Sequence, residues 1–261
     1  MERAFLVSST LCFLAGFAYA MYALGAKVRH PSRWNFVVML TGFILQSEFL
    51  HQRSSAVGRC PLTNLFEVLV FLSWSVVLLY FVVGGTYRLS LLGMFTAPLV
   101  FLIQVVAQIL PIAGQAPVYK KSAGFWPELH AAISLVSYGA FALACVAGVM
   151  FLVQERHLKR HTLNSFFQNL PPIANLSVAV QRLMLAGFAL LTAGIVAGFF
   201  AGHTPLGTII LAVCVWLPYG AILVMRGTHR LSSRRIAWLA VAAFTVALTT
   251  LGVLSAFHLG N

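Results

Sequence analysis

Long apolar blocks separated by short polar connections fill the chain from end to end. Runs long enough to cross a bilayer fall at about 4–25, 34–51, 64–84, 88–110, 128–154, 176–201, 206–226 and 235–258. The pattern predicts an all-α fold, a polytopic integral membrane bundle of about eight transmembrane helices. The 34–51 run is the shortest and most polar, with Gln46, Ser47 and Glu48 inside it. No polar stretch is long enough to build a second body, so residues 1–261 are expected to form a single transmembrane domain.

Composition reinforces the pattern: 60% of the 261 residues are hydrophobic and only 8% are charged, which excludes a soluble domain. A net charge of +12 suggests nucleic acid until the charges are located. Connections after the first, third, fifth and seventh runs hold eleven of the seventeen Lys and Arg. The opposite side holds five, and Arg182 lies inside the sixth run. The positive-inside rule then places both termini outside the cytoplasm, in a multi-pass protein of a bacterial-type plasma (inner) membrane. Its constant partner is membrane lipid, not nucleic acid. The first run is too long, and flanked by charge on the wrong side, for a cleaved signal peptide.

The remaining polar residues sort on the same threading. There is no Asp, and Glu2, Glu48, Glu67 and Glu128 all fall at outer ends of spans, as do His51, His130, His203 and His258. Ionisable groups at that depth are costly and are functional candidates by default. Two segments stand out: Arg59–Glu67 running into the apolar stretch to Trp74, and Trp126-Pro127-Glu128-Leu129-His130 opening the fifth span. A histidine that ligates haem iron must be neutral and held by a partner on its other ring nitrogen. His130 has Glu128 two residues before it and Ser134 one turn after, while His258 closes the last span. A porphyrin there could turn its propionates toward Arg53, Arg59, Lys120 or Lys121. Such histidines also serve as ordinary capping residues, and Phe125-Trp126 as a belt anchor. Glu48 and His51 form an i,i+3 pair. Ser134, Ser137, Tyr138, Gly139 and Gly148 give the fifth span a small, weakly polar face, suited to close helix contact or a planar ligand. The four cysteines make no C-x-x-C, so neither a thiol reductant nor covalently attached haem is indicated.

The segment Arg59-Cys-Pro-Leu-Thr-Asn-Leu-Phe-Glu67 through Trp74 resembles the signature of the CcsA/CcmC-type cytochrome c assembly protein superfamily. His130 through Ser137-Tyr138 to Phe141 resembles the family's histidine-Ser-Tyr helix, closing in Phe151–Lys159. Trp216-Leu-Pro-Tyr219 and Arg234-Arg235-Ile-Ala237 echo the last two spans, so the likeness covers about 58–258. Two departures are plain. The family's tryptophan-rich outer segment corresponds here to Ala201–Gly207, which holds neither Trp nor Asp, and its histidine inside the seventh span corresponds to Val224. The chain is therefore most similar to the short HemX/YpjD-like branch.

The resemblance implies haem handling and binding in cytochrome c assembly at the outer face of the membrane, with haem b as cofactor. It points to His130 and His258 as iron ligands, and Trp126, Glu128 and Glu67 would shape the pocket. Haem and other cytochrome c assembly or haem-biosynthesis proteins would be partners. No complete haem lyase site is visible, so thioether formation by this chain alone is not expected. Two alternatives stay open: a HemX-like regulatory or scaffold protein of haem biosynthesis without bound haem, and a small-solute transporter, for which Arg182 is the one strongly basic group within a span.

Overall fold

A computed structural model of the chain describes residues 2–25, 32–87, 92–110, 119, 121–159, 173–202, 206–228 and 231–259. Its elements are α1 (Glu2–Gly25), α2 (Ser32–Val57), α3 (Leu65–Tyr87), α4 (Leu92–Ile109), α5 (Phe125–Lys159), α6 (Ile173–Phe200), α7 (Leu206–Gly227) and α8 (Ser233–Leu259). Each apolar run of the sequence coincides with one of these helices, and the all-α expectation holds among the described residues. By length and composition α1, α3, α5, α6 and α7 can each cross a membrane. The α4 helix is apolar over the shorter stretch Phe95–Ile109. The α2 helix misses because Gln46, Glu48, His51, Gln52 and Arg53 crowd its second half.

The chain divides into two compact units, the first comprising Met1–Ser122 with Gln154–Pro172, the second Ala123–Val153 with Ile173–Asn261. In the first, α1, α2, α3 and α4 pack each on the next, and α4 returns to α1. Leu6, Phe49, Leu50, Phe66, Val70 and Ala107 form its core near one end. Several of the polar residues inside it are matched across helices. Gln46 Nε2 donates to the Val70 carbonyl at 2.8 Å and to Ser73 Oγ at 2.6 Å, and Trp74 Nε1 donates to Ser47 Oγ at 2.9 Å. The Thr10 hydroxyl lies 2.6 Å from Gln104 Oε1 and accepts from Gln108 Nε2 at 2.7 Å. These residues lower the hydropathy of α2 and α4 because they fasten α2 to α3 and α4 to α1. In an apolar medium such side chains have few other partners, so they act as interhelical fasteners.

At the end of this unit the segment between α2 and α3 forms a knot. Gly58 terminates α2 with φ +79°, a left-handed conformation suited to glycine, and its N–H donates to the Ser54 carbonyl at 2.9 Å. Asn64 caps α3, its Oδ1 accepting the Glu67 N–H at 2.9 Å. The Glu67 carboxylate reaches back: Oε2 accepts from the Thr63 N–H at 2.8 Å and the Thr63 hydroxyl at 2.7 Å. Its Oε1 accepts from Arg53 Nε at 2.8 Å, and Arg53 Nη1 reaches Glu2 Oε1 at 3.1 Å. Arg53 is 4% exposed and Glu67 1%. One buried guanidinium thus joins the end of α2 to the starts of α3 and α1. The sequence pairing of Glu48 with His51 is replaced by a 2.8 Å bond from Gln52 Nε2 to Glu48 Oε1, one full turn along, while His51 faces outward.

In the second unit the Phe125–Val153 part of α5 is surrounded by α6, α7 and α8, and Ala140 through Ala144 are fully buried. The Phe141 ring stacks on Tyr219 of α7 at 3.6 Å between centroids and 9° between planes. The same ring presses against Gly187 of α6, and Gly148 faces the Ala237 backbone of α8. At the far end Ser177 donates to Ser233 at 2.9 Å, and Arg226 bonds Gln181 Oε1 and the Leu231 carbonyl. Those pairs join the start of α6, the end of α7 and the start of α8.

Two outcomes are expected. Arg53→Leu strands a fully buried carboxylate and should cost about 3–5 kcal/mol. It would be read as a lowered unfolding midpoint in detergent, and an unchanged midpoint would contradict the role given to Arg53. Tyr219 has a buried hydroxyl with no partner among the described residues. Tyr219→Phe keeps the stack and removes that hydroxyl, so stability should hold or rise by about 1–3 kcal/mol. Tyr219→Ala should fall by about 3–5 kcal/mol in the same measurement.

Candidate functional site

The α5 helix starts earlier than its apolar run. Gly124 has φ +101°, a backbone conformation that favours glycine, and its carbonyl accepts the Glu128 N–H at 3.4 Å. Pro127 lies in the first turn, where an amide hydrogen has no partner to lose. Trp126 and His130 are therefore one helical turn apart on the same side. Residues two apart on a helix do not face each other, so Glu128 projects away from the His130 ring.

The partner of His130 is a backbone group of another helix. Its Nδ1 lies 2.6 Å from the carbonyl oxygen of Gly194 on α6. A carbonyl can only accept, so Nδ1 carries the proton and donates it. In the neutral ring this leaves the Nε2 lone pair unprotonated, which is the form a metal or haem iron requires. The approach is possible because α6 has no side chain there. A Cβ built on Gly198 would stand 2.9 Å from His130 Nδ1, and one on Gly194 2.6 Å from Ser134 Oγ. With Phe141 on Gly187 two turns further, three residues of α5 sit on three glycines of α6. The residue numbers of each pair add to one constant, as antiparallel helices in fixed register require.

Beside His130 an apolar groove of about 680 Å³ runs between α5 and α6, lined among others by Trp126, Leu129, Ile133, Phe188, Val196 and Phe200. Trp126 is 42% exposed, and its ring meets Phe200 at 4.9 Å. Two of the lining residues, Thr192 and Phe188, meet Trp216 of α7: its Nε1 donates to Thr192 Oγ1 at 2.9 Å, which fixes the indole against Phe188.

The other expected residues are placed as follows. Tyr138 of α5 and Thr250 of α8 share a 3.1 Å hydrogen bond. From there, eight residues back along α5 and eight onward along α8 each rise about 12 Å in the same direction. Backbone positions 130 and 258 thus reach the same level, while the His258 side chain lies outside the described residues. Glu67 belongs to the first unit, where both carboxylate oxygens are engaged as above, and Arg53 is held by two carboxylates. Arg59 and Lys121 lie at the surface or half-buried, Lys120 and His203 fall outside the described residues, and Val224 is 67% exposed on α7. Among the described residues, no three His, Cys, Asp or Glu side chains gather as a metal site. What the sequence reading did not find is the α6 half of the site. Its signal was present as Gly194-Ile-Val-Ala-Gly198, a small-xxx-small pair in an apolar run.

Comparison with known proteins adds a family. The family described as Cytochrome C assembly protein matches residues 62–259. Protein HemX of Brevibacillus brevis is 29% identical over 182 residues, covering 69% of this chain and 66% of that protein, so the match leaves about a third of this relative's length unaligned. Protein HemX of Bacillus subtilis (strain 168) is 25% identical, covering 88% and 87%. Cytochrome c biogenesis protein CcsA of Guillardia theta is 28% identical, covering 72% and 71%.

Proposed function

The chain belongs to the cytochrome C assembly protein family, and from that premise we propose that it handles haem in cytochrome c biogenesis. The observation that carries the proposal is the 2.6 Å contact between His130 Nδ1 and the Gly194 carbonyl, which leaves Nε2 as the ligand nitrogen. The residues fit the group. A neutral, oriented imidazole stands beside an apolar groove with an aromatic wall at Trp126 and Phe200, suited to a flat apolar macrocycle with one polar edge. In this proposal haem b supplies the iron and its redox chemistry. His130 and His258 would hold that iron, Trp126 would wall the pocket, Glu128 would act at its rim without facing the imidazole, and Glu67 would contribute by holding the first unit together.

In the same proposal all eight helices span a bacterial-type plasma membrane with both termini outside the cytoplasm. The charge count supports this orientation, because the basic residues gather at the ends opposite His130 and Glu67. The haem-bearing end then faces outward, toward apocytochrome and the other assembly proteins. The task is to hold or pass on haem rather than to form its thioether bonds. Ala201–Gly207 lacks the aromatic platform of the larger family members, and the position of their inner histidine is Val224.

A second reading, a scaffold or regulator of haem biosynthesis without bound haem, is favoured by those same two departures. The purified protein separates the two by its visible spectrum and pyridine haemochrome. Haem handling expects a Soret band that is lost in the His130→Ala/His258→Ala double variant. A band of unchanged intensity in that variant would sink the ligand assignment, and a colourless protein under both oxidising and reducing conditions would favour the scaffold.

A further inference from the structure

We infer that Gly194 and Gly198 are positioning residues for His130, holding its imidazole in the Nδ1–H form before any haem is present. The purpose of this arrangement rests on the haem-handling proposal, but its geometry does not.

Three observations carry the inference. The Nδ1–Gly194 carbonyl contact of 2.6 Å selects one tautomer. The space for the ring exists only because residue 198 has no side chain, since its Cβ would stand 2.9 Å from Nδ1, 3.2 Å from Cε1 and 3.5 Å from Cγ. That contact cannot be relieved cheaply, because the imidazole is rigid and tethered by its own hydrogen bond. One turn deeper, Ser134 Oγ is buried without a partner among the described residues, pressed flat on Gly194. A buried hydroxyl left unbonded is costly, and its position shows that the approach of α5 to α6 overrides the needs of this side chain. Not every glycine of this unit is crowded: Gly202 and Gly207 have nothing within 4 Å of a built Cβ. Among the described glycines of this unit, a built Cβ comes within 3.0 Å of a neighbour only at Gly187, Gly194 and Gly198, while Gly148 and Gly220 stand at 3.1 and 3.2 Å.

Donation from Nδ1–H to a carbonyl leaves the Nε2 lone pair free and fixes the plane of the ring. The protein alone therefore presents a ready ligand, and haem binding need not reorganise the histidine.

The test uses the whole protein in detergent, haem-free, with ¹⁵N in its histidine rings. The His130 resonances are assigned by their loss in His130→Gln. Wild type is expected to show Nδ1 protonated and Nε2 bare. Gly198→Ala should lose that signature, with the two nitrogens averaging between tautomers, and its affinity for added haemin should fall about 10–100-fold. Gly207→Ala should keep both wild-type values. A Gly198→Ala protein that retains the wild-type ring shifts overturns the inference, whatever its haem affinity. If the tautomer changes as expected but His130→Gln binds haemin as tightly as wild type, the positioning role stands and the haem proposal falls. Should Gly198→Ala not assemble, Gly194→Ala decides the matter. It should disturb the His130 signature, and Gly194→Ala/Ser134→Ala should restore it by removing the 2.6 Å clash. Failure of the double variant to restore the signal overturns the inference.

Discussion

A helix carbonyl inside an apolar layer is reachable by a side chain of another helix only when the two backbones nearly touch, and three glycines of α6 make that contact with α5. Much of the second unit follows from it. The register set at Gly187, Gly194 and Gly198 puts Phe141 where it can stack on Tyr219 of α7. It also places Tyr138 opposite Thr250 of α8, so the end of the last helix rises beside residues 130–138 of α5. The groove beside His130 is lined by the larger residues of the same two helices, Leu129 and Ile133 from α5 and Phe188 and Val196 from α6.

The first unit meets the same constraint differently. It fills its interior with Gln46, Gln104, Gln108, Ser47 and Thr10, and each finds a partner on a neighbouring helix. Close backbone approach and interhelical hydrogen bonding are the two available ways of holding helices together where the hydrophobic effect cannot. Both units use hydrogen bonds between helices, and the second adds the close approach of α5 to α6. The bonded unit closes with an ion pair under 3 Å long; the close-packed unit holds a histidine.

Most of the fold was legible because membrane helices announce themselves by length and hydropathy, and all eight runs became helices. What misled was local. The pattern started α5 at residue 128, since apolar counting cannot see that Gly124 and Pro127 begin a turn earlier. On that helix Glu128 is two residues from His130 and so lies on another side of it. Proximity in sequence offered Glu128 and Ser134 as orienting groups, whereas a backbone carbonyl sixty-four positions away supplies the contact. Carbonyls carry no letter in a sequence, so only their consequence was visible: His130, Ser134 and Phe141 are spaced as Gly198, Gly194 and Gly187 are, in reverse order. Likewise Arg53, counted among outer-face cations for propionates, is spent on Glu2 and Glu67.

The knot at Glu67 has a bearing on how such chains are recognised. Every oxygen of that carboxylate is committed to Thr63 or Arg53, and Asn64 to the helix it caps, so the most distinctive stretch of the chain works as carpentry. A relative could differ throughout α5 and α6 and still need those letters to join its first three helices. Likeness through that stretch certifies a frame, and says nothing by itself of the contact where α5 meets α6.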